Sequence, residues 1–547
     1  MSANLARGLA VLAAAAVPAT AQSLLQKIQS PTPQAQERLG AAVALDGDLA
    51  VIGGPRPSTS HPGRAYVYRH DGNGWITEQV LTAAGGQAGD EFGDAVDTDG
   101  QRLIIGAPDH ADPAGVNGVA YVYHRSVLSP EEWTLDAQFG SPAAVTGAGF
   151  ARAVAIEGEW AAVGAFADSG AEPFAGRVFV YRRTIFGWSL NQTLEASDPE
   201  TFAKFGCSVD IANGRLFVGA YAADGAAQAS GAVYVYRFDQ PDFFTEPEWI
   251  LEDRFHAPDG SFGDSFGFEL QASGTRVLIG AQDATPGGRA YVFRRVLNFF
   301  PTPPSWELDA VLEVPGSENL GLGVALDGND FTGYTALVGD FSADTHTAGT
   351  GAVHVFEQVG PSWLQVAEVV PAEANFDDQF GRAPALDGER ILIGAPRGDT
   401  TQGVFAGEVY AYSRTTLPLG VDFLSLSVEK GGVQTMSLNA GAEHAGKLYW
   451  VLGSASGTSP GTPLLGADVP LNPDVYLDFT LLHPNLPPLE DTLGLLDAPD
   501  GTDTARFNLG ANAPPSLVGT TWHHAYIVLN GGAIDMVSNA VPLKFLP

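Results

Sequence analysis

Cysteine is almost missing from this 547-residue chain: Cys207 stands alone, so no internal disulfide can form. A chain without disulfides must be held by buried apolar area, which a large core supplies. Basic residues are scarce too, with 28 Lys and Arg against 63 Asp and Glu and a formal charge of −35. That balance argues against nucleic acid, whose phosphates would be repelled. It suits solubility, a salty medium, or attraction for cations and basic partners. Methionine is rare at 3 residues, whereas Gly 66 and Pro 37 point to a turn-rich all-β chain. No long apolar run follows the N-terminal segment, so no membrane span is expected. A His-Glu-x-x-His zinc motif, a Gly-x-x-x-x-Gly-Lys phosphate loop and a serine-nucleophile elbow are all absent. An enzyme is therefore not supported.

The N-terminus must be set aside before the fold is read. Arg7 precedes the apolar run from Leu9 to Val17, which is too short to span a bilayer. Ala19-Thr20-Ala21 then has the small-x-small form of a signal-peptidase site. Residues 1–21 read as a secretory signal with Gln22 as the first mature residue, and the expected location is secreted or cell-surface.

What the chain has in abundance is repetition. Seven units open at Leu39-Gly40, Phe92-Gly93, Phe150-Ala151, Phe205-Gly206, Phe266-Gly267, Leu320-Gly321 and Phe380-Gly381. A second landmark follows, an aliphatic residue before Gly53, Gly106, Gly164, Gly219, Gly280, Gly339 and Gly394, 14 residues from the opening in six units and 19 in the sixth. Between them lie polar-Gly pairs such as Asp46-Gly47, Asp99-Gly100 and Asp387-Gly388, which suit tight hairpin turns. The third landmark is an alternating strand of the kind Tyr66-Val67-Tyr68 or Tyr121-Val122-Tyr123. A period near 55–60 residues built of short strands reads as propeller blades.

Tryptophan marks a fourth strand at Trp75, Trp133, Trp188, Trp249, Trp306 and Trp363, which makes only six. The missing strand lies at the other end of the chain. Ile28 stands 11 residues before Leu39, as Leu194 stands 11 before Phe205, and Ser23–Ile28 matches Ser189–Leu194 in spacing. The mature N-terminus, strand 23–28, is expected to complete the last blade, closing the ring non-covalently and protecting an edge.

The units resemble FG-GAP repeats, the blades of the integrin-α-type seven-bladed β-propeller. Phe92-Gly93 with Gly106-Ala107-Pro108, and Phe380-Gly381 with Gly394-Ala395-Pro396, carry the resemblance across residues 22–414. Calcium-binding members of that family place an Asp-x-Asp-x-Asp-Gly-type loop in the first hairpin. Here the hairpin is a minimal turn with too few carboxylates for an ion that wants about six to eight oxygens. Only the sixth unit is longer, with Asp327, Asn329 and Asp330 as weak metal candidates whose spacing departs from the family loop. No cofactor is expected, and calcium is not supported by these loops.

After a linker at 415–420 the repeat stops, and 421–547 shows alternating runs such as Phe423–Val428, Lys447–Leu452, Val475–Thr480 and Ala525–Leu529. The expected fold class is all-β: a seven-bladed β-propeller at 22–414 followed by a small Ig-like antiparallel β-sandwich.

Loops between the second and third strands carry Asp109, Asp112, Asp168, Asp224, Asp283, Asp344 and Asp399, with His61 in the first unit. Such loops emerge on one face, so the carboxylates are candidates for a ligand rim; each also suits a local cap on its own loop. Asp90, Asp264 and Asp378, two residues before Phe-Gly openings, read as turn caps. Arg397-Gly398-Asp399 is an adhesion-type tripeptide of little weight. His523 and His524, with His444, are metal candidates weakened because adjacent strand residues face opposite ways. Cys207 reads as a buried inert thiol. The expected function is non-enzymatic binding or adhesion to an extracellular protein or glycan, by a monomer. A propeller polysaccharide lyase or glycoside hydrolase, and a structural envelope or matrix protein, are the alternatives.

Overall fold

The computed structural model of the chain describes residues 24–55, 61–111, 117–126, 129, 131–142, 147–240, 247–297, 304–314, 316–331, 333–343, 349–359, 361–371, 377–399, 404–413, 419–421, 425–441, 444–457, 461–465, 467–497, 501–511, 513–538 and 540–546. Residues 1–21, expected to be a secretory signal, and Asp112 and Asp344 lie outside the described residues. Two compact units divide between Ser413 and Arg414.

The first unit contains seven four-stranded antiparallel sheets among the described residues. One sheet runs Phe205–Ala212, Arg215–Ala220, Ala232–Asp239 and Glu248–Phe255, each strand pairing with the next. The sheets are numbered here by their opening residues, so this is the fourth. The innermost strands touch in succession around a ring, and that of the seventh sheet, Ala383–Asp387, returns to that of the first, Val43–Asp46. This is a β-propeller.

Each landmark now has a physical reason. The second-landmark glycine is where the next sheet's opening carbonyl lies. A Cβ on Gly106 would overlap the carbonyl oxygen of Ala151, and one on Gly394 would overlap that of Gly40. The opening residue also bridges back to the preceding sheet, at Gly176↔Phe205 and, across the seam of the ring, Leu39↔Gly407. Its ring packs edge-on against the third-strand tyrosine, 5.2 Å for Phe92–Tyr121 and 5.3 Å for Phe380–Tyr410. The hairpin glycines take left-handed backbone, Gly47 at φ 57° and Gly388 at φ 54°.

The seventh sheet is completed by Leu24–Ile28, which pairs antiparallel with Glu408–Ser413 in the register Leu24↔Tyr412 and Ile28↔Val409. Leu190↔Tyr181 and Leu194↔Val178 repeat that register inside the third sheet. Gln26 also does what Gln192 does: each brackets the backbone of a tryptophan in the next sheet, Trp75 and Trp249 respectively. Ile28 is 2% exposed and joins Leu39, Ala50 and Tyr66 in one cluster.

The second unit packs two sheets on one core. One sheet orders Leu419–Val421, Gly432–Asn439, Thr502–Leu509 and Leu489–Glu490; the other is built round Leu448–Ser454 and Thr521–Asn530. Met436 and Phe507 from the first meet Tyr449, Tyr526 and Phe545 from the second. Two expectations are corrected. Ser425–Ser427 pairs parallel with Val541–Leu546, so the unit is not purely antiparallel; Phe423 and Leu424 lie outside the described residues. Val475–Leu482 is an α-helix rather than a strand. The Asp474 carboxylate accepts the N–H groups of Tyr476 and Leu477, which starts a helix whatever the alternation beyond it. Its buried residues, Leu477 and Thr480, are spaced three apart, the helical interval. Among the described residues no helix is long and apolar enough to cross a membrane.

Candidate functional site

Seven innermost strands arranged round one axis leave a space between them. It forms a cavity of about 1260 Å³ lined almost wholly by those strands and by the residues just beyond the second-landmark glycines. The lining differs from sheet to sheet. Of the residues two after the openings, Ala41, Asp94, Arg152, Cys207, Phe268 and Arg382 line the cavity; of those five after, Ala44, Asp97, Asp210, Gln271 and Ala385 do.

The hairpin end is acidic and its acids are employed. Asp97 accepts the N–H of Ile156 at 2.7 Å, Asp210 that of Ala272 at 2.6 Å, and Gln271 that of Leu326 at 3.0 Å, each in the next sheet. Two residues further, Asp99, Glu157, Asp327 and Asp387 accept the N–H of Gly158, Asn213, Gly388 and Gly47 in the same manner. Burial pushes the Asp97 carboxyl well above its ordinary range, with the Asp210 charge adding to it. Burial likewise pushes Asp210 up to about 7, and Glu269 up to about 7 despite the nearby Arg382.

The loop end is different in chemistry. Arg152 bonds Asp94 at 3.1 Å and Glu91 at 3.3 Å, and Arg382 and Arg397 line the same mouth. Phe166, Tyr221 and Phe268 form its aromatic side, with Tyr221 and Phe268 5.4 Å apart. Cys207 also faces the cavity; its Sγ donates to the Gly267 carbonyl at 3.2 Å, and burial raises the thiol to about 12, which keeps it protonated.

The loop aspartates among the described residues have different surroundings. Asp168 is 0% exposed and faces Arg177 at 3.9 Å, so it is an interior group. Burial raises its pKa. Asp224 accepts the N–H of Ala229 at 2.8 Å, and Asp399 that of Phe405 at 2.8 Å, each capping its own loop. Asp283 takes the Ser265 hydroxyl at 2.6 Å. Asp109 is exposed, and His61 is half-buried. Asp90 and Asp264 cap their turns through the N–H groups of Gln87 and Ser261, both at 2.6 Å; Asp378 is buried. The Arg397 guanidinium is paired with Asp377.

The weak metal candidates are committed as well. Asp330 bonds Arg276 at 2.7 Å, Asn329 accepts the N–H of Phe331 at 2.9 Å, and Asp327 serves Gly388. His524 is buried against the Tyr476 hydroxyl at 2.8 Å, whereas His444 lies 3.3 Å from Asp535. Burial lowers the pKa of His524 to about 3 and lowers that of His523. Among the described residues no cluster of three His, Cys, Asp or Glu is placed to hold a metal ion.

The cavity residues do not recur from unit to unit, so no landmark marks them. The columns that vary, two and five residues after the openings, were the available signal.

The family model for the FG-GAP repeat matches residues 75–123, 188–236, 249–293 and 363–412. Each match starts at a fourth-strand tryptophan and ends in the third strand of the following sheet, so the sequence unit and the sheet are offset by one strand. A search of curated proteins finds no match in sequence. Among solved structures, Sqt1 of Chaetomium thermophilum, bound to the N-terminus of the ribosomal protein L10, is 13% identical over 75% of this chain and 94% of its own, with a TM-score of 0.41. A putative 6-phosphogluconolactonase from Bacteroides uniformis is 9% identical over 61% of this chain and 86% of its own, with a TM-score of 0.39.

Proposed function

The chain carries FG-GAP repeats on a propeller, and from that premise we propose an exported, non-catalytic binding protein whose ligand enters the central cavity at its loop end. The observation that carries this reading is the lining itself. Residues that build the ring repeat from sheet to sheet, whereas those facing the cavity change, to Asp94, Arg152, Phe268 or Arg382. Concave sites with a few convergent polar groups are where ligands bind. Aromatic faces on one side and guanidinium groups on the other suit a polar ligand with planar or carboxylate groups, such as an extracellular glycan. Of the loop aspartates, Asp224 and Asp399 cap their own loops and Asp168 is interior, which favours the cavity over them as the recognition surface.

Glycan-array binding by the mature chain, residues 22–547, repeated with Arg382→Ala, tests this reading. Binding weakened by the substitution supports it; binding that is unaffected puts the ligand elsewhere.

A second reading has one observation in its favour. Asp210 and Glu269, both at the cavity and both pushed to about 7, carry the protonation range a general acid or base needs. A polysaccharide lyase or glycoside hydrolase would use them, and release of shortened chains from a bound glycan would establish it. Binding without release favours the first reading.

A further inference from the structure

The loop-end rim carries a feature that the repeat does not require. Three residues before the sheet openings the backbone repeatedly turns left-handed, at Gln36, Gly89, Gly147, Gly263 and Asp377. The fourth sheet places Phe202 there, at φ 68°. Two residues before the bridging glycines of the third strands the same occurs at Ala229, Gly349 and Phe405, and the third sheet places Phe174 there, at φ 54°. Glycine suits this conformation and a bulky side chain is strained in it. Yet both rings stand outside the core, 42% exposed at Phe174 and 55% at Phe202. They stack 5.2 Å apart with their planes 7° from parallel.

Between them and the cavity lies Lys204. Its ammonium is 5.2 Å from the Phe174 ring, 5.4 Å from Phe166 and 5.8 Å from Phe202. The chain has only five lysines, and Lys27, the other one in the ring of sheets, is paired with Glu408 at 2.6 Å. Lys204 makes no ion pair among the described residues, although the chain carries 63 acids. Ring faces hold a cation without neutralising it, so its charge stays available to an incoming anion. Phe166 belongs to the cavity wall, which makes the group continuous with that space.

We propose that Phe174, Phe202 and Lys204 form a subsite for a sugar ring bearing a carboxylate, at the loop-end mouth of the cavity. The inference rests on the cavity reading above and gives its ligand a chemical class. The exposed phenyl face takes the C–H face of the sugar, and the carboxylate meets the Lys204 ammonium. The remainder of the chain of sugars passes Phe166 toward Tyr221 and Phe268. A neutral apolar partner would have no use for the ammonium, and a cationic one would be repelled by it.

Calorimetric titration of residues 22–547 with an oligogalacturonate, and with the neutral galactose oligomer of equal length, tests the subsite. The acidic oligomer is expected to bind more tightly. Phe202→Gly should weaken it about tenfold while melting at or above the parent temperature, since glycine suits φ 68°. Lys204→Met should erase the preference for the acidic oligomer. A Phe202→Gly protein that melts lower would show the ring to be structural and overturn the proposal, as would a parent protein that binds neither oligomer. If Arg382→Ala abolishes binding while Phe202→Gly and Lys204→Met bind as the parent, the subsite falls and the cavity reading stands. If all three bind as the parent, both fall.

Discussion

The carboxylate of Asp327 accepts a hydrogen bond from the backbone N–H of Gly388 at 2.9 Å, across the boundary between the sixth and seventh sheets. Asp387 does the same for Gly47 at 2.5 Å, and Asp99 for Gly158 at 3.0 Å. The polar-Gly pairs therefore do more than shape their own turns. Asp99, Glu157, Asp327 and Asp387 also satisfy a turn N–H of the neighbour, stapling sheet to sheet at the hairpin end.

Asp327→Ala leaves the Gly388 N–H without its partner and is expected to cost about 1–2 kcal/mol. Denaturant unfolding of the full chain measures it. Asp327→Asn, which keeps an acceptor oxygen, should cost less than half as much; equal costs would point to a role for the charge alone.

Ile28→Ala should destabilise the first unit by about 2–4 kcal/mol, because the side chain is 2% exposed in a shared cluster. Deleting residues 22–29 exposes the edge of the seventh sheet and should lower the melting temperature further. A deleted protein that melts with the parent would show that the strand does not hold the ring closed.

Asp210 gives the first unit a signed pH response. Its folded pKa, about 7, lies above the roughly 3.9 of an unfolded aspartate. The protonated form is thus favoured by folding, so this contribution is full below about pH 4 and is lost as pH rises through 7. Asp210→Asn retains an acceptor for the Ala272 N–H and carries no charge. Its melting temperature relative to the parent should climb between pH 4 and pH 8; a flat difference would contradict the shift.

His524 has the opposite sign. Burial sets its folded pKa at about 3, below the roughly 6.5 of an unfolded histidine. Its contribution is full above about pH 6.5 and is lost as pH falls toward 3. His524→Gln should slow hydrogen exchange of peptides covering Thr521–Asn530 at pH 4.5 relative to the parent at the same pH. Equal or faster exchange there would discount the buried imidazole as the source of acid sensitivity.

Much of the architecture is legible in the sequence. Glycine before an alanine, phenylalanine before a glycine and alternating tyrosines recur because backbone overlap and edge-to-face packing leave few other choices at those positions. The offset of one strand was legible too, since Gln26 and Ile28 repeat the spacing of Gln192 and Leu194. The helix at Val475–Leu482 was misread because apolar residues crowd its every face, and only the Asp474 cap distinguishes it from a strand.

By itself the sequence determined the repeat, the all-β character and the turn chemistry, since these depend on neighbours within one unit. Only the tertiary structure decided what the acids do. Whether Asp327 meets a metal, water or the N–H of Gly388 depends on a residue 61 positions away, brought near by the ring. The same closure gathers Arg382, Phe268 and Asp210 around one space and leaves Phe174 and Phe202 at its rim. Proximity across sheets has no period in the sequence.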